Sequence, residues 1–185
     1  IPESELAKLA EVIKKHKIWC LSDEIYCELL YDNHKHVSIG SLPGMKDYTI
    51  IFNGFSKSFA MTGWRIGYVC APNDLLTLCC KLHAYSSICP PIFSQYAAAE
   101  GLRNAWDDVE KMRVSYQQRR NVMHKAFEDM GLPCAEPEGA FYMFPDIRPT
   151  GLTSEEFATE LIQKYSVAVV PGTCLIQTKI FIFAL

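Results

Sequence analysis

The chain has 185 residues, 49% of them hydrophobic, with 18 basic and 21 acidic side chains and a net charge of −3. That is enough apolar material for a buried core. Charge is mixed along the chain rather than blocked, which argues against a nucleic-acid or membrane-surface protein. No apolar run has bilayer-spanning length, and no basic-then-apolar leader follows Ile1. The 8 cysteines contain no C-x-x-C pair. Cys20, Cys70 and Cys174 lie in apolar runs, so the thiols are expected to be reduced core residues of a cytoplasmic protein.

The first element is a helix over "PESELAKLAEVIKKHK", with Leu6, Leu9 and Ile13 at helical spacing and Pro2 at its start. "IWCLSDEIY" reads as a strand with polar residues at its carboxyl end, and "HVSIGSLPGMKD" is turn-rich. "YTIIFN" is a second strand, continuously apolar and β-branched, as in a parallel sheet covered on both faces. "WRIGYVCAP" is a third. Helices follow over "NDLLTLCCKLHAYSS", over "PIFSQYAAAEGLRN", and from about Trp106 to Met130, where Gly131 and Pro133 form a stop signal. The remainder alternates: strand "AFYMFP", helix "SEEFATELIQKY", strand "VAVVPG" and a last apolar run "IFIFAL". Strands and helices interleave throughout, so the class is α/β, with a smaller α/β unit after the long helix.

In open α/β sheets, functional groups gather where strands end. Asp23 and Tyr26 follow the first strand, Ser56 and Lys57 follow the second, and Arg65 opens the third. A carboxylate, a phenol, a hydroxyl, an amine and a guanidinium thus converge on one sheet edge. "GFSKS" is not a phosphate loop, because Ser56 stands where glycine must precede the lysine. It is not a nucleophile elbow either, because Ser58 replaces the second glycine. His34 and His36 flank Lys35 in a polar turn with no third ligand nearby, so they are expected to be solvated and no metal site is assigned.

"SDEIY" followed by "NGFSKSFAMTGWRIGY" resembles the pyridoxal-phosphate aminotransferases of class I/II, the aspartate aminotransferase superfamily of fold type I. "GAFYMFPDI" and "VAVVPGT" resemble the small domain of the same family. The resemblance implies pyridoxal 5'-phosphate as cofactor, with Lys57 as its covalent tether and as the general base and acid. It implies that Asp23 keeps the pyridine nitrogen protonated; such a carboxylate is worth on the order of 4 kcal/mol at an effective dielectric of 20. Tyr26 would bond the ring's phenolic oxygen, and Ser56 and Arg65 the phosphate, the arginine through its planar fork. The implied reaction moves an amino group between an α-amino acid and a 2-oxo acid, with "MTGWRIGY" leaning toward the aspartate/aromatic type. A carbon–sulfur β-lyase and a cofactor-sensing domain of a transcription regulator are the alternatives. No nucleic-acid or membrane partner is expected for the enzyme, and the full-length parent is expected to be a homodimer, with Tyr85–Pro91 near the neighbour's site.

By the same resemblance, residues 1–105 are the carboxyl-terminal part of the large cofactor-binding domain. Residues 106–130 are a connecting helix and 131–185 a small domain with a truncated or altered end. Ile1 falls just past the family's N-P-x-N-P-T-G region, which would carry further cofactor contacts. The family's arginine for the substrate carboxylate has no counterpart, since the last arginine is Arg148 and Lys179 is the cation of the tail. Gly54 stands where many relatives have a serine, leaving this loop's hydroxyl contact with the phosphate to Ser56. The chain alone is therefore expected not to turn over, and to expose apolar surface around Ile18–Leu21 and Ile50–Phe52.

Overall fold

A computed structural model describes residues 1–174 and 181–184. The chain divides into two compact units, residues 1–30 with 34–110, and residues 31–33 with 111–185.

In the first unit, α1 (Glu3–His16) begins after extended Pro2 and ends at Lys17, which takes a left-handed conformation. Glu3 and Glu5 in its first turn and Lys14, Lys15 and His16 in its last complement the helix dipole. Its buried stripe, Leu6, Ala10 and Ile13, packs on Ile39 and Met45, whereas Leu9, expected on that stripe from its spacing, is 46% exposed because it lies to one side of the packed face. Strands β1 (Cys20–Asp23), β2 (Thr49–Gly54) and β3 (Gly67–Cys70) form one sheet in that order. β1 and β2 are parallel, with Asp23 opposite Phe52. β3 runs antiparallel to β2, with Gly54 opposite Gly67, so the mostly parallel pattern holds here for the first pair alone. Helices α2 (Asn73–Ser86) and α3 (Ile92–Asn104) follow, and a second core joins Phe55 and Met61 to Ala98.

The sheet is open to solvent as expected: Leu21 is 66% exposed and Phe52 38%. All four residues of β3 are exposed, which corrects the placement of Cys70 in a core: among the described residues no element covers it. Cys174 is also exposed, while Cys20 is half-buried against the α1 cluster; all eight cysteines are free.

Helix α4 (Trp106–Asp129) crosses the division between the units. In the second unit, β4 (Tyr142–Met143), β6 (Phe181–Ala184) and β5 (Val170–Pro171) form an antiparallel sheet with β6 in the middle. Helix α5 (Ser154–Tyr165) starts with a capping box: Thr153 Oγ1 accepts from Glu156 N, and Glu156 Oε2 accepts from Thr153 N. Buried Arg120 pairs with Asp32 and Glu136, drawing the Tyr31–Asn33 segment into this unit. Arg148 is committed to Asp146 through a side-chain and a backbone hydrogen bond. Lys179 lies outside the described residues.

Candidate active site at the sheet edge

Direction and register bring the sequence-selected residues to one end of the first sheet. Asp23 is the last residue of β1, and β2 ends at Gly54, two residues before Ser56. Because β3 is antiparallel, its entry lies beside the exit of β2. Phe55 N donates to Ile66 O at 3.5 Å, one step beyond the Gly54–Gly67 pair, so Ser56 and Arg65 flank a single backbone contact. Had β3 run parallel, Arg65 would sit at the opposite edge.

Strand alternation explains why Asp23 is available. Cys20 and Ser22 face the half-buried side of β1, whereas Leu21 and Asp23 face the open side. Asp23 Oδ1 accepts from Ile25 N at 3.2 Å. The chain then turns, with Cys27 N donating to Glu24 O at 3.0 Å and Leu29 N to Tyr26 O at 2.9 Å, and this turn carries half-buried Tyr26.

After β2 the loop folds on Phe55, which is buried against Met61 and Ala98. Phe55 O accepts from both Phe59 N and Met61 N at 3.2 Å, and Lys57 O accepts from Ala60 N at 3.2 Å. These bonds wind the loop tightly, with Ser56 and Lys57 half-buried. Lys57 Nζ lies 5.9 Å from the centre of the Tyr26 ring, so amine and phenol share one locality. Arg65 is exposed, has φ of 52°, and donates from Nη1 to Thr62 O at 2.8 Å.

Sequence reasoning missed a polar cluster directly behind Asp23. Glu24 is buried, bonded to the hydroxyls of Ser22 and Ser38, and paired with His36. His34 is exposed as expected; His36 is exposed but not merely solvated, with Nε2 3.0 Å from Glu24 Oε2. The signal was in the letters S-D-E, since period-2 alternation sends Ser22 and Glu24 to the same side. A second missed contact links Asn53 Nδ2 to Cys27 Sγ at 3.3 Å. Burial pushes the Cys27 thiol up, Asn53 partly offsets this, and the negative charges of Glu28 and Glu24 add to the rise. Burial, with Cys27 as the next cause, likewise raises the Tyr68 phenol.

Across residues 1–179 the sequence matches the profile of the family "Aminotransferase class I and II". The chain belongs to that family. Among the similar relatives of this aminotransferase chain is an aspartate aminotransferase of Pyrococcus abyssi, 46% identical over 175 residues, covering 94% of this chain and 45% of the relative. An aromatic-amino-acid aminotransferase of Thermococcus litoralis is 45% identical over 179 residues, covering 96% and 46%. The crystal structure of an aromatic aminotransferase from Pyrococcus horikoshii superposes on all of the chain and 50% of its own, with a TM-score of 0.97 at 42% identity. The α/β fold is therefore that of solved aminotransferases. The aminotransferase chain spans about half the length of the curated relatives it matches.

Proposed function

We propose that the whole protein is a pyridoxal-phosphate-dependent transaminase that moves an amino group between an α-amino acid and a 2-oxo acid. The observation that carries this reading is the gathering of Asp23, Tyr26, Ser56, Lys57 and Arg65 at one sheet edge in a chain of this family, with Lys57 Nζ over the Tyr26 ring. The donor set fits the cofactor group by group: an amine for its aldehyde, a carboxylate for its ring nitrogen, a phenol for its ring oxygen, and a hydroxyl and guanidinium for its phosphate. Bound there, the cofactor supplies an electron sink for the pair released when a substrate Cα–H bond breaks.

The roles of the protein residues follow from their chemistry. Lys57 tethers the cofactor and, once free, takes the substrate Cα proton and returns it. Asp23 holds the ring-nitrogen proton by charge attraction. Tyr26 donates to the ring oxygen, while Arg65 and Ser56 retain the phosphate. The names of the relatives, an aspartate and an aromatic aminotransferase, favour that substrate type. The domain reading goes with it: residues 1–105 belong to a large cofactor-binding domain, 106–130 to a connecting helix and 131–185 to a small domain. A homodimer in the cytoplasm completes the proposal; the exposure of Leu82, Tyr85 and Ile88 supports an apolar interface there.

The test is borohydride reduction of the cofactor-loaded full-length protein, followed by peptide mapping, with aspartate and aromatic amino acids assayed as amino donors. The label is expected on Lys57 together with 2-oxo acid formation. A label elsewhere, or pyruvate and a thiol from a cysteine conjugate in place of amino transfer, overturns the reading. The 185-residue chain assayed by itself is expected to show no turnover.

A further inference from the structure

Glu24 directly follows Asp23, yet it is 7% exposed while Asp23 lies open. A carboxylate removed from water is costly unless charge and hydrogen bonds offset the loss. Glu24 has both. Ser22 Oγ donates to Oε1 at 3.0 Å, Ser38 Oγ donates to the same oxygen at 2.6 Å, and His36 Nε2 stands 3.0 Å from Oε2. Ser38 is itself held, because its Oγ accepts from Gly40 N at 3.3 Å and its carbonyl accepts from Ser41 Oγ at 2.7 Å. Ile39 beside it is buried against α1. The carboxylate is thus fastened to a packed part of the unit.

The backbone of Glu24 is equally committed. Its N–H donates to Phe52 O at 2.8 Å, carrying the β1–β2 ladder one residue beyond Asp23. Its carbonyl accepts from Cys27 N at 3.0 Å, closing the turn that bears Tyr26. The donor to Asp23 Oδ1, Ile25 N, lies within that turn. Asp23 on one side and Tyr26 on the other therefore inherit their positions from Glu24.

We propose that Glu24, clamped by Ser22, Ser38 and His36, is a positioning residue of the cofactor site: it fixes Asp23 and Tyr26 without touching the reacting atoms. This rests on the transaminase reading above. A purely structural buried acid would change folding stability alone, whereas a positioning residue also changes how the cofactor is held.

The experiment compares full-length wild type with Glu24→Gln and Ser38→Ala, reading three quantities. These are the dissociation constant for pyridoxal phosphate, the pH midpoint of the bound cofactor's visible absorption, and the melting temperature without cofactor. Glu24→Gln is expected to weaken cofactor binding about tenfold, as for loss of charged hydrogen bonds. The absorption midpoint is expected to move by about half a pH unit or more. Ser38→Ala, which removes one hydroxyl and is expected to fold, should move affinity and midpoint in the same directions by less, and it decides the matter if Glu24→Gln does not fold. A lowered melting temperature with wild-type affinity and midpoint overturns the inference. Wild type that takes up no cofactor overturns the transaminase reading, and this inference with it.

Discussion

The guanidinium of Arg120 is buried and lies over the ring of Tyr31, 5.2 Å from its centre. Its two nitrogens at the fork reach Asp32 and Glu136, the latter at 2.5 Å. Both acids are substantially exposed, so their charges remain partly solvated and screened. The arginine itself is 1% exposed, and truncating it removes packing as well as two ion pairs. Arg120→Ala is expected to lower the unfolding free energy by about 3 kcal/mol. Arg120→Lys, which keeps the charge but loses the planar fork, should recover less than half of that. Urea titration of the full-length variants checks both.

Tyr31 gives the same cluster a pH dependence. Burial is the main cause that pushes its phenol from 10.0 up to about 12, with Arg120 pulling the other way. The phenol is neutral when protonated, and a raised value means the folded state holds that proton more tightly than the unfolded chain does. The associated stability is complete below pH 10 and is lost as pH rises from there toward about 12. Unfolding measured at intervals from pH 9 to 11.5 should show wild type losing stability faster than Tyr31→Phe. Taking the difference between the two proteins removes the shared contribution of other alkaline groups, Tyr68 among them.

Much of this molecule was legible from local patterns. Leu6 and Ile13 of the α1 stripe and the Gly131–Pro133 stop after α4 are local signals that spacing alone exposes, while the same spacing misplaced Leu9. The Thr153-x-x-Glu156 cap of α5 is just as local, but the sequence reading passed over it. Strand direction was not legible, because an apolar run carries the same letters whichever way it lies in the sheet. The proposed site donors were visible as polar residues at strand ends. Their support was not: Ser38 and His36 come from a turn-rich segment whose contact with Glu24 forms only when the sheet and α1 are packed. Arg120 and Asp32, 88 residues apart, leave no local trace at all.

Gly67 is where two strands approach too closely for a side chain. A methyl group there would lie 2.9 Å from Asn53 O, and one at Gly54 would lie 3.0 Å from the Cα of Gly67. Backbone cannot swing aside as a flexible side chain does, so β2 and β3 must separate. Gly67→Ala is expected to cost about 1–3 kcal/mol, the range for inserting a methyl group into a packed site. Since β2 leads directly into Ser56 and Lys57, the same substitution should weaken cofactor binding. Thermal unfolding and a cofactor titration read the two effects separately.

Asp23 offers the sharpest separation of chemistry from folding. It is exposed, on the face of β1 opposite Glu24, and the hydrogen bond it accepts from Ile25 N is one that asparagine retains through its carbonyl oxygen. Asp23→Asn should therefore leave the melting temperature of the cofactor-free protein nearly unchanged. On the transaminase reading proposed above, what it removes is the negative charge that would keep the ring nitrogen protonated, an attraction on the order of 4 kcal/mol. That corresponds to about a 10³-fold fall in kcat/KM for amino transfer. Lys57 is untouched, so borohydride should still label it in Asp23→Asn. Asp23→Glu restores the charge on a longer arm, and it should recover part of the rate. Steady-state kinetics of the three full-length proteins decide the point: wild-type kcat/KM in Asp23→Asn would show that this carboxylate does not serve the ring nitrogen.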